Sequence, residues 1–109
     1  MTDLASRKCV PCQGGTPPLQ GAALADMLRR VQGWTCQRDK EIVKDFRFPD
    51  FARALAFVNH VGALAETEGH HPDIELSWGL ARIKLWTHKV SGLTESDFIL
   101  AAKIDTLPH

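Results

Sequence analysis

The chain has 109 residues, which is enough for one compact domain with one core but not obviously for two. Hydrophobic residues make up 44% of it and charged residues 24%, as in ordinary globular proteins, and 13 basic residues balance 13 acidic ones. The formal charge of zero argues against a general nucleic-acid binder and against a binder of anionic membranes, because both usually carry a basic excess.

The amino terminus and the cysteines indicate the cellular compartment in which the protein is expected. No apolar run approaches the roughly 20 residues that a membrane span needs. The opening "MTDLASRKC" lacks the apolar centre of a signal peptide, which predicts a cytoplasmic protein. Cys9, Cys12 and Cys36 form an odd set, so a disulfide scaffold is not expected. Cys9 and Cys12 make a single CxxC without a second pair, and we interpret them as reduced thiols of a tail.

The first half of the chain predicts a tail, a helix and a hairpin. Residues 1–18 are expected to be flexible, because "CVPCQGGTPPL" carries three prolines and two glycines and shows no periodicity. A helix is predicted from about Leu19 until Gly33, since apolar residues recur there at intervals of three and four. In "WTCQRDKEIVKDFRF", apolar and polar residues alternate on both sides of "RDK", which predicts two strands and a turn.

The second half again predicts a helix followed by a hairpin, and then a third helix. Pro49 and Asp50 are expected to open a helix that Gly69 ends. "DIELSWGLARIKLWTH" predicts a second hairpin with Gly79 in its turn and His88 at the end of the last strand, and "TESD" predicts the start of a third helix. The expected fold is therefore α+β: a four-stranded antiparallel sheet covered on one face by helices, in a single domain over residues 19–109.

The stretch "GHHPD" places two histidines where a helix meets a strand, although that junction needs none. Antiparallel pairing returns the end of the last strand to the start of its partner, so His88 is expected near His70 and His71. Alternation along the strand places His88 with Trp86, opposite the apolar residues. His60 and His109 fit no pattern and are expected to be solvated.

The same residues resemble the signature of the pterin-4a-carbinolamine dehydratases. An acidic residue stands four before a His-His-Pro triplet, an aromatic follows six positions after the proline, a histidine ten further on, and an aspartate lies in the next helix. The resemblance spans about residues 19–107 and leaves the tail out. Gly69 departs from members that carry an acid there. The matching residues are Glu66, His70, His71, Pro72, Trp78, His88 and Asp97.

The resemblance implies an activity and a set of roles. The family substrate is a pterin with a hydroxyl at C4a, the by-product of aromatic amino-acid hydroxylases, and the enzymes are dimers or tetramers. Loss of water needs a proton for the hydroxyl and removal of one from the adjacent ring nitrogen, which suits histidine near neutral pH, without metal or cofactor. His70 and His88 would share the proton transfers, and His71 would bind the pterin. Supporting or substrate contacts are expected from Glu66, Pro72, Thr87 and Asp97.

Two alternatives stay open. Three histidines with Glu66 could hold zinc, although side chains of adjacent residues diverge in an extended segment and the HxxxH spacing is absent. The protein could also be a non-catalytic dimerisation and interaction module of the same fold. Animal members of the family have such a role in addition to catalysis. The complete histidine set favours catalysis. Trp78 is expected in the core or at an interface, whereas Trp86 is left open.

Overall fold

The computed structural model describes residues 4–6 and 17–109. The predicted order of helices and strands is confirmed, and the CxxC of Cys9 and Cys12 lies outside the described residues. The elements are α1 (Gly21–Arg29), β1 (Thr35–Gln37), β2 (Glu41–Arg47), α2 (Phe51–Glu68), β3 (Asp73–Ser77), β4 (Leu80–Leu85) and α3 (Glu95–Asp105).

The four strands form one antiparallel sheet in the order β1-β2-β4-β3. The two hairpins join along β2 and β4, where Ile42 lies opposite Leu85. On the other side of β4, Ile74 of β3 lies opposite Ile83. Because β2 and β4 are central, β1 and β3 are the two edges of the sheet.

The apolar face of the sheet carries the core, as the alternation predicts. Ile42, Ala81, Ile83 and Leu85 are completely buried there beneath the helices. Side chains of the opposite face are polar or partly exposed, which confirms a sheet covered by helices on one side only. The helical part of the core is formed by Phe57, Val61, Phe98, Leu100 and Ile104.

Local signals explain the bounds of α2. The Asp50 side chain accepts a hydrogen bond of 2.8 Å from the backbone N–H of Arg53, which satisfies one of the free donors at the helix start. At the other end Gly69 adopts a φ of 68°, a left-handed conformation that costs glycine little, and its N–H donates to the Ala65 carbonyl. Both predicted ends are therefore confirmed.

Helix α3 is buried on more than one side. Residues 96–101 are all buried, because α1, α2 and a short 3-10 turn at Leu4–Ser6 all pack against this helix. Leu4 is only 3% exposed. Leu4 lies within residues 1–18, which are expected from the sequence to form a flexible tail, and its apolar side chain fills a space beside α3. In the described part of the chain, no helix is long and apolar enough to cross a membrane.

A second N-terminal contact lies next to the start of α3. The backbone N–H of Leu19 donates to the carbonyl of Leu93 at 2.7 Å. Pro18 lies so close to Gly92 that a Cβ added there would be 2.8 Å from the proline ring. Residues 18 and 19 therefore pack across the loop between β4 and α3.

Two side chains differ from their sequence-based interpretation. Trp78 lies in the β3–β4 turn beside Gly79 and is 68% exposed, so the expectation that it packs in the core is wrong and only an interface remains. His109 is exposed as expected, but its ring also makes edge contacts with Phe46 and Phe57, 5.0 and 5.8 Å between centroids.

Candidate active site

His70 is positioned by the end of α2. Its backbone N–H donates to the Ala65 carbonyl, the same acceptor that Gly69 uses, so the chain turns sharply after the helix. The turn directs the His70 ring inward, where its side chain is 16% exposed and its Nε2 lies 2.5 Å from Oδ1 of Asp97. Two residues 27 positions apart are thereby joined at one site.

Asp97 is completely buried in the first turn of α3. Its Oδ2 accepts the Thr87 hydroxyl at 2.7 Å and the backbone N–H of Thr94 at 3.0 Å. The Thr87 and Thr94 hydroxyls are 2.9 Å apart. A buried carboxylate is costly unless it is hydrogen-bonded, and these partners together with the start of the helix stabilise its charge.

His71 and Glu66 lie on the outside of this network. The Nε2 of His71 is 3.4 Å from Oε1 of Glu66, and their side chains are 61% and 79% exposed. Pro72 disfavours a helical conformation at His71 and prepares the entry into β3. A contact this exposed contributes little stability, so these two side chains remain available to a ligand.

His88 is held by an aromatic contact. Its ring stacks on the Trp86 indole, with centroids 3.9 Å apart and planes at 25°. The indole Nε1–H donates to Oδ2 of Asp73 at 3.2 Å. The end of this segment therefore lies beside the start of β3, as hairpin geometry predicts.

The predicted end of the last strand is wrong by a few residues. The ladder ends at Leu85, and His88 begins a short 3-10 turn, His88–Val90. The reason is a local bridge: Thr87 pairs with Gly92, and Ser91 between them adopts a left-handed φ of 51°. The chain thus folds back on itself, and the exposed His88 lies on a tight loop.

The structure joins some of the predicted residues directly. A chain of hydrogen bonds links His70 through Asp97 to Thr87, the residue that precedes His88. Glu66 contacts His71, while Trp78 lies in the turn between β3 and β4. A single cleft shared by the three imidazoles stays a prediction. Thr94, interpreted from the sequence only as a helix cap, is part of the network; the spacing of "TESD" was the signal for it.

Zinc coordination receives no support from these contacts. In residues 4–6 and 17–109, no group of three or more His, Cys, Asp and Glu side chains is placed to hold a metal ion. The Nε2 atoms of His70 and His71 already face separate carboxylates, those of Asp97 and Glu66.

Other reactive groups lie elsewhere. Burial raises the pKa of the Cys36 thiol, and the Asp39 carboxylate adds to the effect, which makes this thiol a poor nucleophile. On the open face of the sheet, a concavity of about 550 Å³ is lined by residues that include Asp45, Glu75 and Arg82. There the hydrogen bond from Arg82 lowers the pKa of the Asp45 carboxyl. This polar surface is separate from the histidines.

Comparison with known proteins places the chain in a family. The family model described as pterin 4 alpha carbinolamine dehydratase matches residues 17–107. The chain belongs to this family. A protein of Rubrobacter xylanophilus named "putative pterin-4-alpha-carbinolamine dehydratase" is 51% identical over 107 residues, which cover 98% of this chain and all of the relative. The similarity to relatives therefore extends into the N-terminal segment that the sequence signature left out.

Solved structures agree with the fold. The transcriptional coactivator/pterin dehydratase of Brucella melitensis superposes with a TM-score of 0.75 at 29% identity, covering 81% of this chain and 95% of that one. A pterin dehydratase-like protein described as a RuBisCO assembly factor of the α-carboxysome has a TM-score of 0.58 at 26% identity, covering 68% and 87%. One of these two similar structures is thus named as a coactivator and pterin dehydratase, and the other as an assembly factor.

Proposed function

We propose that this protein dehydrates a pterin-4a-carbinolamine, 4a-hydroxytetrahydrobiopterin or a close analogue, to the quinonoid dihydropterin and water. The observation that carries the proposal is the pairing of His70 with the buried Asp97. A solvated histidine has no need of a completely buried carboxylate, whereas a proton-transferring imidazole gains a fixed orientation from one.

The reaction asks for two proton movements. The C4a–O bond breaks with its electron pair on oxygen, and the oxygen takes a proton and leaves as water. The adjacent ring nitrogen loses its proton, and that electron pair forms the C=N double bond. His70 and His88 carry these transfers, and neither a cofactor nor a metal takes part. Two imidazoles can do this without any net change in the enzyme after each turnover.

The remaining predicted residues bind the substrate. His71 is exposed beside Glu66, and this pair is suited to the polar amide and amino groups of the pterin edge. Pro72, which disfavours a helical conformation at His71, and Thr87, which is joined to His70 through Asp97, are expected to add further substrate contacts. Asp97 acts through His70 because no part of it is exposed.

A stopped-flow assay of carbinolamine dehydration with purified, metal-free protein tests the proposal. The carbinolamine also dehydrates spontaneously and with buffer catalysis, so the rate is measured against buffer and against an equal concentration of a His70→Ala protein. We expect acceleration by the wild-type chain well above both. Equal rates in all three would exclude the dehydratase function.

The second candidate is a non-catalytic interaction module of the same fold. The open, polar sheet face with its concavity favours it, since a surface of this kind can receive a partner. Arg82→Glu would alter this face without touching a histidine. If Arg82→Glu keeps full turnover but no longer supports the protein's role in cells, the interaction module is favoured. If the role in cells is lost only in variants with reduced turnover, the enzyme is favoured.

The proposed activity implies a cellular setting. A hydroxylase that acts on aromatic amino acids would supply the carbinolamine, and the enzyme would work in the cytoplasm as a homodimer or homotetramer. These expectations rest on the family resemblance. Deleting the gene and measuring pterin by-products in the cells would test the link to a hydroxylase.

A further inference from the structure

When the Asp97 carboxyl is ionised, the hydrogen bonds around it have one consistent set of directions. The backbone N–H of Thr94 can only donate, so Oδ2 of Asp97 accepts from it. The first turn of a helix favours the ionised carboxylate, and an ionised carboxylate accepts from every partner. The Thr87 hydroxyl therefore donates its single proton to Oδ2, 2.7 Å away.

The direction at Thr87 settles the next bond. Since its proton is used on Asp97, the Thr87 oxygen can only accept from Thr94, 2.9 Å away. The Thr94 hydroxyl is the donor at the far end of the chain. In the described residues no buried side-chain nitrogen or oxygen lacks a hydrogen-bond partner, so each of these bonds has a definite place in the network.

The same reasoning extends to His70. Oδ1 of an ionised Asp97 accepts a proton from Nε2, so neutral His70 carries its hydrogen on Nε2. We infer that Thr94 and Thr87 are positioning residues that act through Asp97 to hold His70 in the Nε2–H tautomer, so that Nδ1 is the nitrogen that exchanges a proton with the substrate. This inference rests on the proposed function and adds to it the identity of the reacting atom.

Thr87 also connects the two proton-transferring histidines. Its backbone N–H donates to the Gly92 carbonyl at 2.8 Å and closes the loop that carries His88. Its side chain orients the carboxylate that holds His70. The Asp97 carboxylate contacts His70 directly, and the Glu66 carboxylate contacts His71. One buried threonine thus fixes the carboxylate of one histidine and the loop of the other.

The tautomer can be measured without substrate. Nitrogen-15 spectra of the histidine rings at alkaline pH distinguish Nε2–H from Nδ1–H through their couplings to the ring protons, and a His70→Gln protein assigns the His70 signals. We expect the Nε2–H form in the wild type. Predominance of the Nδ1–H form would mean that Asp97 donates to His70, and would overturn the inference whether or not the protein is an enzyme.

Variants test the threonines. Thr87→Val keeps the shape of the side chain and removes its hydroxyl, and Thr87→Ser restores one. We expect the Thr87→Val protein to contain both tautomers of His70. Its kcat should be roughly 10-fold lower with little change in KM, because the carboxylate that orients the reacting imidazole is no longer held in place. Thr87→Ser should recover both readouts. Thr94→Val should show the same change in weaker form, because its backbone N–H still reaches Asp97.

The outcomes separate the inference from the proposed function. No dehydration by the wild type, together with an Nε2–H ring, removes the function and leaves the geometry intact. Normal dehydration by a Thr87→Val protein with an unchanged tautomer contradicts the inference and leaves the function. If Thr87→Val does not fold, the wild-type spectrum and the Thr87→Ser protein still test the inference. The kcat of Thr87→Ser should match that of the wild type, and mixed tautomers in Thr87→Ser would contradict the inference.

Discussion

The rings of Trp86 and His88 stack at 3.9 Å while the indole Nε1–H donates to Asp73. Asp73 begins β3, so the indole ties the His88 loop to the strand that follows His71. An indole face also attracts a cation, so in the proposed reaction it would stabilise the imidazolium formed when His88 takes up a proton. Trp86 is therefore the element that orients His88.

We expect Trp86→Ala to lower kcat by roughly 10-fold, because small displacements of a reacting group are costly. Trp86→Phe keeps a stacking ring without the Asp73 bond and should retain most of the activity. Turnover is measured by stopped flow. Trp78→Ala, which removes an exposed tryptophan elsewhere, is the control. A wild-type rate for Trp86→Ala would contradict this role.

Replacing His70 or His88 by alanine should each reduce turnover about 10-fold or more, because positioned acids and bases contribute at least that much. The double variant should fall well short of the product of the two effects, since both residues serve one step. His60→Ala, an exposed histidine of α2, controls for the general effect of the substitution. Fully multiplicative losses would indicate two independent functions.

Removing metal ions should leave the activity unchanged. His70 and His71 direct their Nε2 atoms at separate carboxylates, which does not form a coordination site. The rate is compared before and after dialysis against a chelator, and again after zinc is added back. A loss of activity that zinc restores would replace acid-base catalysis with a metal mechanism.

The chain should self-associate through an edge of its sheet. β1 and β3 are the edges, and five-residue β3 is the longer of the two. Pairing with a second copy would satisfy its outward backbone groups. We expect a dimer or larger species by light scattering at micromolar concentration, and concentration-dependent protection of outward β3 amides in hydrogen exchange. A monomer with fast exchange along β3 would refute this.

A separate prediction concerns stability. Arg38 and Asp39 in the β1–β2 turn both have positive φ, 54° and 56°, which L-residues adopt at a cost. Asp39→Gly should therefore increase the free energy of unfolding by about 0.5–1 kcal/mol. Asp39→Ala removes the same charge but keeps the strain, so it should show no such gain. Urea unfolding at equal protein concentrations measures both, and equal stabilities would argue against strain.

The parts of the fold that the sequence predicted are those set by local rules. The ends of α2 follow from Asp50 and Gly69, and the two hairpins follow from strict alternation around short turns. The proximity of His88 to the start of β3 could also be predicted, because antiparallel pairing leaves little freedom for it.

What the sequence could not predict depends on packing between distant segments. Asp97 would ordinarily be an exposed residue of a first helical turn, and it is buried because α3 is covered on several sides. The directions of the Thr87 and Thr94 hydroxyls depend on that burial. The early end of β4 at Leu85 and the packing of Leu4 likewise come from tertiary contacts that no spacing rule includes.

The close approach of Pro18 to Gly92 has a practical meaning for anyone who transplants this domain into another protein. A graft that began at Leu19, the limit suggested by the sequence, would place a foreign residue directly over the His88 loop. A bulky junction there would press on Gly92, whose carbonyl anchors Thr87. The residues immediately before the domain therefore support the loop that carries His88, and a fusion should retain them.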